Sequence, residues 1–97
     1  MAKITWTDQA LEDIETICDF IAKDSPQYAK IFAQKVYTTV EQLTIFPKSG
    51  RIVPEIGDVS VREIIFGNYR IVYRVRKAEV EIVTVHHSSR LFNESEI

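Results

Sequence analysis

Cysteine is almost missing from this chain: Cys18 is the only one among 97 residues. That excludes an internal disulfide, and the apolar helical pattern around Cys18 reads as a buried thiol rather than a nucleophile or ligand. No apolar run approaches the ~20 residues of a membrane span. The start, Met1-Ala2-Lys3-Ile4-Thr5-Trp6, lacks a signal peptide's long apolar segment, so a soluble cytoplasmic protein without membrane contact is expected. There is no glycine-rich phosphate loop and no His-x-His, Cys-x-x-Cys or His-Glu-x-x-His spacing. No cofactor, no metal and no small-molecule substrate are therefore expected. Internal repeats, low-complexity segments and linkers are also lacking.

What is present is ordinary globular composition, 45% hydrophobic and 27% charged. So short a chain fills one core, giving a single domain over residues 1–97. The net charge of −2 hides an asymmetry. Residues 1–46 sum to −3, residues 47–90 to +3 and the tail after Arg90 to −2. The second half is mildly basic, but this excess is small for a protein held to nucleic acid by its own charge.

The richest stretch runs from Val61 to Arg90, three β-patterned runs joined by two short reversals. Tyr69, Ile71, Tyr73 and Val75 alternate with Arg70, Val72, Arg74 and Arg76, a strand with two unlike faces. Gly67-Asn68 suits a two-residue turn with glycine at a positive-φ position. Arg76 to Glu79 makes the second reversal. That register sets Arg74 opposite Glu81 and Arg76 opposite Glu79. It carries on to Tyr73 with Ile82, Ile71 with Thr84, and Tyr69 with His86.

Upstream, Ile4–Trp6 is a short strand of undecided partner. Thr7 caps a helix with Ala10, Leu11, Ile14, Ile17, Cys18 and Ile21 on its apolar stripe, and Glu12, Asp13, Glu15 and Asp19 mainly opposite. It ends near Lys23 or Asp24. Ser25-Pro26 opens a second helix with the stripe Ala29, Phe32, Ala33, Val36, Val40 and Leu43, closed by Thr44 to Pro47. Residues 47–60 read as a loop. The order β-α-α-β-β-β predicts an α+β fold: an N-terminal strand and an antiparallel helical hairpin packed on a mostly antiparallel β-sheet.

His86-His87 is the obvious chemical candidate, since histidine titrates near neutrality. Adjacent strand residues face opposite ways, so the pair cannot readily share one metal. His86 reads as a core-face residue beside Tyr69, and His87, near Arg70 on the other face, remains the candidate. Arg51, Arg62, Arg70, Arg74 and Arg90 could form an anion-reading surface. Arg74 is accounted for by Glu81. Arg51, Arg62 and Arg90 stay open between tethering the loop to the sheet and meeting a partner. Tyr69 and Tyr73 read as packed aromatics with satisfied hydroxyls. Ser88 and Ser89 lack an acid partner that would complete a hydrolase arrangement.

One combination of residues resembles a known family. It comprises Trp6-Thr7-x-x-Ala10-x-x-Asp13-Ile14, Ile17-x-x-Phe20-Ile21, Phe46-Pro47-x-x-Gly50-Arg51, Arg62-Glu63, Gly67-x-Tyr69-Arg70-Ile71-Val72-Tyr73 and Val83-x-Val85-x-His87-x-x-Arg90. Together these look like the RelE/ParE toxin superfamily, across nearly the whole chain. The resemblance implies a RelE/ParE-like fold and the toxin of a type II toxin–antitoxin module, of the plasmid-stabilisation kind, neutralised by a cognate antitoxin. A complex with two copies of each is implied by the same analogy.

The superfamily divides by target. RelE-like members cut messenger RNA in the ribosome, and ParE-like members poison DNA gyrase. The ribonuclease branch is typically strongly basic, with an arginine late in the second strand of the sheet, a basic or histidine residue past the last strand, and often a tyrosine near the C-terminus. This chain has Ile65, Ser88 and Glu94 at those places. Gly50-Arg51 and His87-x-x-Arg90 look more like the ParE branch. The resemblance therefore implies growth inhibition by binding gyrase, through Arg51, Arg62, Arg70, His87 and Arg90. One alternative is a ribosome-dependent endoribonuclease using His86 or His87 with Arg62 and Arg90. The other is a non-toxic interaction module of the same fold.

Overall fold

The computed structural model describes residues 1–89. Arg90 and Glu94, to which expectations were attached, lie outside the described residues. The first strand, β1 (Lys3–Trp6), leads into helices α1 (Asp8–Ala22) and α2 (Pro26–Glu41), and a 3-10 turn, Gln42–Thr44, follows. Then come β2 (Arg51–Ile52), β3 (Val61–Phe66), β4 (Tyr69–Arg76) and β5 (Glu79–His87). The five strands form one sheet in the order β1-β5-β4-β3-β2. Only β1 runs parallel to its neighbour, β5. The α+β expectation therefore holds, and the undecided first strand lies at the edge beside β5. The stretch read as a loop contains the short strand β2.

Both helices start where the sequence places caps. Thr7 Oγ1 accepts the Ala10 amide at 3.0 Å and donates to the Val83 carbonyl at 2.7 Å, tying the start of α1 to the sheet. Ser25 Oγ accepts from the Tyr28 amide at 3.2 Å, with Pro26 in the first turn, where no donor is lost. The stripe residues Ala10, Ile14, Phe32, Val36, Val40 and Leu43 pack with Ile71, Tyr73, Val80, Ile82 and Val85 as the main core. On the other face Val53, Val61, Val72 and Val83 make a second, smaller core under the 53–60 segment.

Near the Lys77 turn the β4–β5 register is the expected one: Arg76 opposite Glu79, Arg74 opposite Glu81, Tyr73 opposite Ile82. The expected pairs Ile71–Thr84 and Tyr69–His86 do not form. An irregularity between Val72 and Tyr73 places Val72 opposite Thr84, Ile71 opposite Val85, Arg70 opposite His86 and Tyr69 opposite His87. One extra residue in β5 makes a bulge, and a one-residue slip exchanges faces for everything beyond it. Asp13 of α1 holds this bulge, accepting the Thr84 hydroxyl and, at 3.1 Å, the Val85 amide. The expectation that Asp13 belongs to the solvent face of α1 is corrected accordingly.

Candidate target-binding surface

The site is built on β2 and β3. Gly50 sits so close to the sheet that a Cβ there would lie 2.6 Å from both the Glu63 carbonyl oxygen and Tyr73 Oη. Only glycine fits, and its amide donates to Tyr73 Oη at 2.8 Å. Burial, as the largest cause, pushes the Tyr73 phenol up from its ordinary pKa. With the chain pinned here, Arg51 pairs with Glu63 across β2 and β3.

Arg51 Nε donates to Glu63 Oε2 at 2.5 Å, and its side chain is 59% exposed. The other oxygen, Glu63 Oε1, accepts from Arg70 Nε at 2.5 Å. Arg70 in turn donates to Glu55, from Nη1 at 2.6 Å and from Nη2 at 3.0 Å. Glu63 and Arg70 are 1% and 4% exposed. These carboxylates, Glu55 foremost, raise the Arg70 pKa, so its charge is permanent. A buried ion is tolerable only with such complete pairing. The network fastens the 53–60 segment onto the outer face and leaves one accessible cation, Arg51, at its end. The expectation that Arg70 meets a target is not matched by its place: a buried guanidinium paired with two carboxylates has no surface to offer. Arg62 is also committed, donating to the carbonyls of Val59 at 3.0 Å, Gly50 at 3.0 Å and Lys48 at 3.3 Å.

The histidines lie the other way round from expectation. The bulge puts His86 opposite Arg70, 6% exposed on the outer face, and His87 beside Tyr69 on the helical side. The His87 and Tyr69 rings meet edge-on at 5.7 Å, and Tyr69 meets Phe32 of α2 at 5.1 Å. The Ser89 amide donates to His87 Nδ1 at 3.1 Å, with Ser89 Oγ 2.7 Å from the same nitrogen. Nδ1 thus accepts a backbone hydrogen bond from the residue two positions on.

Arg51 and His87 are therefore exposed but divergent. Arg51 shares the outer face with Glu63, while His87 shares the helical face with Tyr69. No group of three His, Cys, Asp or Glu among the described residues is placed to hold a metal. Cys18 is half-buried, its thiol 3.8 Å from the Ala29 carbonyl and pushed up in pKa mainly by burial. The sequence reading gave no role to Glu63, Glu55 or Asp13, although Asp13 and Glu63 stand in the family pattern. The signal available for Glu63 was an acid on the same strand face as Val61.

Comparison with known proteins agrees with this architecture. The ParE toxin family of type II toxin–antitoxin systems (parDE) matches residues 4–92. Toxin RelE2 of Caulobacter vibrioides is 34% identical over 92 residues, covering 94% of this chain and all of that one. Putative toxin Y4kP of Sinorhizobium fredii is 36% identical over 89 residues, covering 89% and 88%. A solved structure, described as the chromosomal ParDE TA system from P. aeruginosa, superposes with a TM-score of 0.74 at 22% identity, over 90% of this chain and 96% of that one, a likeness of fold. The chain that carries this arginine–glutamate network belongs to the ParE toxin family of type II toxin–antitoxin systems.

Proposed function

We propose that this chain is a single-domain cytoplasmic toxin that arrests growth by binding DNA gyrase, and that an antitoxin encoded beside it neutralises it. The divergence of its exposed polar groups carries the reading. A nuclease centre needs a base, a proton donor and a phosphate-binding cation converging on one ribose-phosphate. Here Arg51 and His87 lie on opposite faces, Arg62 and Arg70 bond within the fold, and His87 Nδ1 meets the Ser89 amide. Dispersed groups of this kind suit a wide macromolecular contact better than chemistry at one bond. Purified toxin should inhibit gyrase supercoiling or trap cleaved DNA. Normal supercoiling at saturating toxin rejects the proposal.

A second reading, ribosome-dependent endoribonuclease, is favoured by the exposure of His87 and by the relative named RelE2. Primer extension on transcripts from induced cells tests it. New 5′ ends within translated codons support cleavage, and intact transcripts count against it.

A further inference from the structure

Two apolar clefts meet at the end of the sheet far from His87. The larger, about 480 Å³, is lined by Phe46, Pro47, Lys48, Ser49, Val75 and Lys77. The smaller, about 270 Å³, shares Pro47 and Lys77 and continues along Ala2, Ile45 and Ala78. Ile45 and Phe46 stand 63% and 64% exposed beside them. Adjacent large apolar side chains left in water around a cleft mark an interaction site rather than scattered surface. The charged residues lining the clefts are Lys48 and Lys77, both cations.

Lys77 carries an independent signal. Its φ of 39° makes it the one non-glycine residue with positive φ among those described. That conformation costs an ordinary residue about 1 kcal/mol. Glycine would adopt the turn without strain, yet a lysine stands there, with its side chain on the rim of both clefts. Strain kept at a surface site points to a role for the side chain.

We propose that this cleft docks an acidic, apolar segment of the antitoxin. Apolar side chains of that segment seat against Phe46 and Val75, and its carboxylates meet Lys48 and Lys77. Two ammonium groups and one serine hydroxyl do little to orient a small ligand, but they match a peptide that mixes apolar and acidic residues. A second copy of this chain is a poorer occupant, because a two-fold contact sets the same patch on both sides and so brings the lysines of one copy toward those of the other. The proposal rests on the reading that an antitoxin partners this chain.

Lys77→Gly separates docking from folding. Titrated by calorimetry with the protein encoded by the adjoining gene, Lys77→Gly, Lys77→Gln and Phe46→Ser should each bind about tenfold or more weakly than wild type. Thermal unfolding of free Lys77→Gly should stay level or rise. Affinities unchanged in all three variants overturn the cleft assignment and leave the antitoxin reading standing. If the wild-type chain itself fails to bind, the antitoxin reading falls and the proposal with it. If Phe46→Ser instead abolishes self-association of the free chain at unchanged antitoxin affinity, the occupant is a second copy and the proposal is overturned.

Discussion

Tyr73 has no exposed surface, and its phenolic oxygen accepts the Gly50 amide, which joins the core to the start of β2. The packed aromatic with a satisfied hydroxyl was legible from strand alternation. Its partner was not, because Gly50 lies 23 residues away and nothing local links the two. Replacing Tyr73 with Phe leaves a buried donor unmet and should cost about 1–2 kcal/mol in urea unfolding. The pH dependence follows from the raised pKa. The folded phenol keeps its proton above the ordinary value of 10.0 while the unfolded one loses it. Its contribution to stability is therefore complete below pH 10.0 and is lost as pH rises beyond it. Unfolding curves at pH 8 and at about pH 11 should show this loss in wild type, and Tyr73→Phe should lack that part of the slope.

Strands β4 and β5 show where periodicity stops informing. From the Lys77 turn to Tyr73 the register follows alternation and the opposed charges of Arg74 with Glu81 and Arg76 with Glu79. Beyond the bulge every facing pair shifts by one, which exchanges His86 and His87. No property of residues 79–87 alone announces this, because the bulge is held by Asp13 of α1, 71 residues from Thr84. Asp13→Ala should cost about 2–3 kcal/mol, since it strands a hydroxyl and an amide together. Hydrogen exchange at the Val85 amide should accelerate by more than that at Val80, in the regular part of the ladder beside the Lys77 turn. Equal acceleration at both would mean that Asp13 supports the whole sheet rather than the bulge.

Taken as a whole, the molecule has two faces with different chemistry, the helical side carrying His87 and the outer side carrying Arg51. Three strand spacings and three residues of rise separate these two groups by roughly 15–18 Å. If the chain acts by binding gyrase, both substitutions behave as contact losses. Arg51→Ala and His87→Ala should each reduce inhibition of supercoiling by less than about a hundredfold, and in an additive way. A catalytic base behaves differently, since its removal typically costs 10²–10⁴-fold in rate. Growth arrest abolished by His87→Ala, with antitoxin and gyrase affinity intact, would transfer the function to cleavage.

The two helices with their caps and apolar stripes, four of the five strands and the family, though not the short β2 inside the 47–60 stretch, were written in the order of residues. Each depends on neighbours within a few positions, or on a motif that spans the chain. What only the tertiary structure decided was which polar groups reach solvent. Arg70 and Arg51 look alike in sequence, yet one is buried between Glu63 and Glu55 while the other stands open at the end of the same network. The reason is electrostatic and non-local: a charge enters a protein interior only where distant segments bring enough opposite charge to meet it.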